Sequence, residues 1–232
     1  MSAVSEFPHE LAEFEKLLLD AIGHRQVPAE IERAIALAES LVARFPHSAE
    51  AHHMLGLAWY DFPSSASVRS WRCRMALEKA VLIEPDHQYA IQYLAYLAFD
   101  QERYGDALAL QARLRHSYFI ERDQEWRALK NAETRLVCRI RLNPAEFPSE
   151  DFAEFRRWYF DARNRENRDF SSGSFVLPQE LRECAEWLFE TGVSLEEPRL
   201  RTILTFVADA DYAETFRSPL LKLAASKSTA EG

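Results

Sequence analysis

Apolar side chains recur at spacings of three and four residues along most of the chain, and this pattern predicts a series of helices. The first predicted helix covers residues 8–23, where Gly23 is a favourable C-terminal stop. Pro28 opens a second helix, because proline is well tolerated in a first helical turn, and Pro46 ends that helix. Further helices are predicted at about 48–60, 68–83, 87–101 and 104–116.

One segment of this pattern occurs twice. Residues 52–60 and residues 91–99 have similar sequences, 39 positions apart. A helix that ends at a proline precedes each copy, at Pro46 and at Pro85, and a second apolar helical pattern follows each copy. A repeated helix–turn–helix unit predicts an α-solenoid, a scaffold whose usual work is to hold a partner.

The repeated residues resemble the tetratricopeptide repeat, which places Leu-Gly and an aromatic on its first helix and small residues and a final proline on its second. Leu55, Gly56 and Trp59 match the first helix of that pattern. The other matching positions are Ala34, Ala38, Leu41 and Pro46 upstream, Cys73, Leu77, Ala80 and Pro85 after the first copy, and Ile91, Leu94, Ala95, Ala98, Ala107, Gln111 and Leu114 in the second.

The chain also departs from this family. The family period is 34 residues, so the longer spacing implies five extra residues, most simply placed at 61–69. His52 replaces the usual tryptophan, and the last copy lacks its terminal proline. The resemblance covers residues 8–117 and implies a fold but no particular activity, because the family binds many kinds of partner.

The second half of the chain does not repeat. Helices are predicted over 121–141, from Ser149 to a polar loop that begins at Asn164, and from Pro178 to Gly192. Ser194 and Glu197 form a capping-box pattern for a helix that runs to about 208, and a last helix is predicted at 214–225. The predicted fold is therefore all-α: a tetratricopeptide-like α-solenoid over 8–117, an irregular helical region over 118–225 that packs on or extends it, and a disordered tail over 226–232.

Composition limits the kinds of molecule that the protein is expected to bind and the compartment in which it is expected to act. The net charge of −9 disfavours nucleic acid and anionic membranes, and it suits a basic protein. The three cysteines include no C-x-x-C pair, so neither a disulfide framework nor a zinc site is expected. The N-terminal residues show no signal-peptide pattern and no 18-residue apolar stretch occurs, so a cytoplasmic protein without a membrane span is expected.

The chain shows no recognisable catalytic or metal-binding motif. The sequence contains no glycine-rich phosphate loop and no nucleophile elbow. His52 and His53 are adjacent, so they point to different faces of a helix and form a poor metal pair. The carboxylates do not form a recognisable acid–base pair. We therefore expect no enzymatic activity, no catalytic residue, no metal and no cofactor.

Arginines and aromatics are mixed on the predicted helix near residues 156–168, and this composition raises the question of nucleic-acid binding. Acidic residues are interleaved with the arginines, so a solvated, ion-paired helix face is the favoured interpretation.

The tetratricopeptide resemblance implies a concave groove lined by the first helix of each pair. Aromatic and hydrogen-bonding side chains at those positions are typical of interaction surfaces. The alternative is that the C-terminal helices fold back and bury these aromatics as core. The residues predicted to line the groove are Glu50, His53, Leu57, Tyr60, Asp61, Tyr89, Gln92, Tyr96, Phe99 and Asp100.

The predicted function is non-enzymatic binding of a protein partner. Within that class, the acidity and the divergent repeat favour a cytoplasmic inhibitor that sequesters its partner, as bacterial immunity proteins do. One alternative is a secretion chaperone or adaptor of tetratricopeptide type. Another is a nucleic-acid-linked regulator that uses the arginine-rich helix 156–168. The partner's identity and the oligomeric state stay open.

Overall fold

The structure is a computed structural model that describes residues 8–23, 28–61, 66–166 and 178–210. These residues form eleven helices and no strand, so the all-α prediction is confirmed. The helices are α1 Pro8–Gly23, α2 Pro28–Arg44, α3 Ala49–Asp61, α4 Ala66–Ile83, α5 Gln88–Asp100, α6 Tyr104–Gln111, α7 His116–Ile120, α8 Glu125–Leu142, α9 Ser149–Glu166, α10 Gln179–Glu190 and α11 Pro198–Ala210.

The chain divides into two compact units, Met1–Leu114 and Arg115–Gly232. The boundary predicted from the sequence lies between residues 117 and 118. Each unit has its own buried apolar residues.

In the first unit, neighbouring helices pack in pairs: α1 on α2, α3 on α4, and α5 on α6. Helix α2 also contacts α3, and α4 contacts α5. The described residues of this unit include two buried core clusters, one from α1–α3 around Phe14 and Met54, and one from α3–α5 around Leu77 and Leu94. Because α3 contributes to both clusters, it joins the two parts of the core.

In the second unit, α8 contacts α7, α9 and α10, and α10 contacts α11. Buried Glu133 of α8 accepts a hydrogen bond from the backbone N–H of Leu181, 3.0 Å away in the first turn of α10. This contact satisfies one of the amides that a helix N-terminus leaves unbonded. Phe206 of α11 packs against four rings of α9, and all four centroid distances lie between 5.3 and 5.7 Å.

Several predicted boundaries in this half are wrong. Helix α8 begins at Glu125 rather than at residue 121, because Asp123 has a left-handed φ of 57° and ends the short α7. Helix α9 continues through Glu166, into the segment predicted as loop. Helix α11 begins at Pro198, because the Ser194 hydroxyl accepts from the backbone of Glu196 in a turn. The predicted helix 214–225 and the predicted tail 226–232 lie outside the described residues.

Candidate functional site

Five rings from α3 and α5 form a continuous surface on the first unit, which we call the aromatic face: His53, Tyr60, Tyr89, Tyr93 and Tyr96. Tyr93 lies at its centre, 5.4 Å from Tyr60, 5.8 Å from Tyr96 and 6.1 Å from His53 between ring centroids. His53 stacks on Tyr89 at 5.8 Å. Positions 89, 93 and 96 follow helical spacing, so one side of α5 carries all three tyrosines.

Hydrogen bonds fix the tyrosines at one end of the aromatic face. The Tyr60 hydroxyl donates to Oδ2 of Asp100 over 2.8 Å, and this bond links α3 to α5. Nε2 of Gln92 donates to the Tyr96 hydroxyl over 3.1 Å. These two hydrogen bonds restrict the orientation of the Tyr60 and Tyr96 rings.

A carboxylate between two imidazoles lies at the other end. Oε1 of Glu50 accepts from Nδ1 of His53 at 3.3 Å, and Oε2 accepts from Nε2 of His87 at 3.2 Å. Both imidazoles are buried. Burial raises the pKa of Glu50, but the hydrogen bonds from the two histidines outweigh that effect and hold the pKa well below its usual range.

His87 is also the N-cap of α5, because its Nδ1 accepts the backbone N–H of Ala90 at 3.2 Å. An imidazole nitrogen that accepts a hydrogen bond carries no proton, so the proton of neutral His87 resides on Nε2 and is donated to Glu50. One pair of hydrogen bonds therefore links the start of α5 to α3 and determines the tautomer of His87.

The same three residues form a group with metal-ligand chemistry. One ligand atom from each of Glu50, His53 and His87 lies within 4.8 Å of the others. A metal bound to Nε2 of His87 would place the imidazole proton on Nδ1. A protonated Nδ1 could no longer accept the hydrogen bond that the Ala90 N–H donates to it. Metal binding would then cost the helix cap, so the geometry favours the hydrogen-bonded network.

The predicted groove residues occupy different environments. His53 and Gln92 are buried, at 7% and 0% exposure; His53 belongs to the aromatic face, and Gln92 supports it through its hydrogen bond to Tyr96. Leu57 packs on the core of α1–α3, and Phe99 contacts the ring of Tyr104 in α6 at 5.8 Å. Glu50, Tyr60, Tyr89 and Tyr96 are half-buried, and Asp100 is exposed. The side chain of Asp61 lies outside the described residues.

Tyr93 and His87 were not among the predicted site residues. Tyr93 follows Tyr89 by four positions, and this spacing could have placed it on the same helix face. His87 precedes α5, so the periodicity of the helix gives no signal for it. Only the pairing of α3 with α5 brings it to Glu50.

The arginine-rich helix lies in the second unit as α9. Arg156 pairs with Asp209 at 3.6 Å, and Arg163 donates to the backbone carbonyl of Asp209 at 3.0 Å. Arg165 has no described side chain, and Arg168 lies outside the described residues. Part of this helix face is therefore ion-paired with α11.

Comparisons with protein-family models, with curated proteins and with solved structures give no match for this chain. Within the part of the chain that the structure describes, no helix is both long enough and apolar enough to cross a membrane.

Proposed function

We propose that this protein is a non-enzymatic binding module that holds a segment of a partner protein against the aromatic face. The observation that carries the proposal is the continuous set of rings that α3 and α5 present together. Tyrosine provides a large contact area with few rotatable bonds and a polar tip, so little conformational entropy is lost on binding. The hydrogen bonds of Tyr60 and Tyr96 orient these rings in advance.

The packing of the first unit supports a tetratricopeptide-type array. Its helices pack in successive pairs, and a core cluster spans each junction between pairs. Gly56 lies against Leu77 of the paired helix, as a small residue at this family position would. His52 takes the place of the usual tryptophan; its buried ring donates from Nε2 to the carbonyl of Pro46.

Charge indicates the chemistry of the partner. Carboxylates lie near both ends of the aromatic face, Glu50 at one end and Asp100 at the other, and the whole chain carries a net charge of −9. A segment with lysine or arginine beside apolar residues would complement this surface. Sequestration of a basic partner protein, as an immunity-type inhibitor does, is the role that this arrangement favours.

The test is partner capture from the native host with Tyr60→Ala, Tyr93→Ala and Tyr96→Ala, followed by mass spectrometry. At least one substitution should weaken binding by about 2 kcal/mol, as expected for a hot spot. Trp71→Ala is the matched control, because Trp71 is an aromatic residue of the same unit, 62% exposed and outside the aromatic face. Normal capture by all three variants, with circular dichroism showing that they are folded, would overturn the proposal.

A further inference from the structure

A cavity of about 1010 Å³ lies between α9 and α11 in the second unit. Four arginines line it, two from each helix: Arg156 and Arg157 from α9, and Arg199 and Arg201 from α11. Ligand sites for small molecules are commonly concave and of this order of size. The cavity lies in the second unit, whereas the aromatic face lies in the first.

Aromatic rings form the apolar part of the same cavity. Phe152 and Phe206 are buried beneath it, and half-buried Phe147 and Phe160 complete the lining. The rings of Phe160 and Phe206 are 5.7 Å apart. Phe206 of α11 packs on Phe152 and Phe160 of α9, so these rings join the two helices and form an apolar wall beside the arginines.

The arginines are only partly neutralised. Arg199 pairs with Glu197 at 3.3 Å, and Arg156 pairs with Asp209 at the longer distance of 3.6 Å. Arg157 and Arg201 are exposed and have no ion pair among the described residues. Asp161 and Glu197 are the acids of the lining, and Asp209 pairs with Arg156, so four arginines are matched by three acids in a protein of net charge −9.

We propose that this cavity binds a small organic phosphate, whose phosphate groups contact the arginines and whose ring or apolar body rests on the phenylalanines. A guanidinium group donates two parallel hydrogen bonds to the oxygens of a phosphate or a carboxylate. A bound anion would therefore neutralise the excess positive charge of the arginines in this concave site. A nucleotide has both required parts.

The distribution of charge favours a small ligand over a nucleic-acid chain. Binding to a chain needs phosphate contacts along an extended basic surface. Here four arginines meet at one cavity of a protein whose net charge is −9. A few phosphates on one molecule match that arrangement.

The experiment is isothermal titration of the full chain with ATP, with tripolyphosphate and with adenosine, at physiological salt. We expect ATP to bind, and to bind about tenfold or more tightly than tripolyphosphate, because burying an apolar ring adds affinity. Arg157→Ala with Arg201→Ala should weaken ATP binding by about tenfold or more for each arginine. Arg122→Ala is the matched control, an exposed arginine of the same unit outside the cavity, and it should bind ATP as the wild type does.

Three results would overturn the proposal. The first is absence of ATP binding at millimolar concentration. The second is equal affinity of the wild type and the Arg157/Arg201 variant, with circular dichroism showing that both are folded. The third is binding of a single-stranded RNA oligonucleotide without binding of ATP, which would indicate a nucleic-acid surface. None of these results bears on partner capture by the aromatic face.

Discussion

At the scale of single residues, Gly56 shows how a missing side chain permits close helix packing. A Cβ atom at this position would lie 2.5 Å from Cδ2 and 2.6 Å from Cγ of Leu77, which is itself fully buried. These distances are below normal van der Waals contact, so any larger residue must displace Leu77. The contact joins α3 to α4 within the first unit.

We expect Gly56→Leu to lower the free energy of unfolding by about 1–3 kcal/mol, because it overpacks this contact. Gly105→Ala is the control: the structure places no atom within 4 Å of its added Cβ, and alanine favours a helix over glycine by up to about 1 kcal/mol. Chemical denaturation of both variants measures the difference. Equal stability of Gly56→Leu and the wild type would contradict this packing.

Glu50 predicts a pH dependence with a definite sign. Its pKa is depressed in the folded protein, below the ordinary value of 4.5, so the unfolded chain binds a proton more readily. The stability that Glu50 contributes is therefore complete above about pH 4.5, and it is lost as the pH falls through the depressed pKa. Glu50→Gln should remove this component.

The measurement is the free energy of unfolding between pH 6 and pH 3. The wild type should lose stability on acidification more steeply than Glu50→Gln does. Glu84→Gln, which changes an exposed acid outside the network, should follow the wild type. Parallel curves for the wild type and Glu50→Gln would show that the two histidines do not stabilise the charged carboxylate.

At the scale of elements, backbone geometry determines how α5 ends and α6 begins. Glu102 has a left-handed φ of 57°. The N–H of Glu102 donates to Phe99 and that of Arg103 to Ala98, at 2.8 and 2.9 Å, and this pair of bonds closes the end of α5. Helix α10 ends in the same way at Gly192, which has a φ of 94° and no side-chain penalty.

We expect Glu102→Gly to raise the free energy of unfolding by about 0.5–1 kcal/mol. A residue with a side chain pays about 1–2 kcal/mol to adopt the left-handed conformation, and glycine avoids this cost. Part of the gain in stability is lost because glycine gives the unfolded chain more conformational entropy. Gln101→Gly is the control, because Gln101 has a φ of −90°, and glycine there should only destabilise. Thermal unfolding of both variants tests the pair; a lower melting temperature for Glu102→Gly would contradict it.

At the scale of the whole molecule, the reactivity of buried thiols can measure the opening of each of the two units. Cys73 is buried in the first unit, and Cys138 and Cys184 are buried in the second. Burial raises the pKa of both Cys138 and Cys184 to about 12. Only a thiolate reacts readily with disulfide reagents, so the native fold protects these groups both by access and by ionisation.

The native protein should therefore react with a disulfide reagent at pH 8 far more slowly than the unfolded chain, in which all three thiols react. The reaction in increasing denaturant measures the opening of each unit, with Cys73→Ala assigning the signal of the first. Rapid labelling of any thiol without denaturant would show that its helix is not packed as described.

Local chemistry in the sequence was sufficient for much of the helical structure. The first helix was predicted at 8–23 and is observed at Pro8–Gly23, because apolar spacing and an end signal act within the helix itself. Where competing signals lay a few residues apart, prediction failed. Ser194 matched a capping pattern, yet α11 begins at Pro198.

The sequence by itself determined the all-α class and the pairing of successive helices in the first half. It also placed Tyr89 and Tyr96 on one side of the same helix. These features follow from contacts among residues that are near each other in the chain. Tertiary structure alone decided that Tyr93 would join α3 to α5, that His87 would reach Glu50, and that arginines from α9 and α11 would line one cavity. These groups lie tens of residues apart in the chain. Whether they come into contact depends on how whole helices pack against one another, and no local spacing of residues encodes that packing.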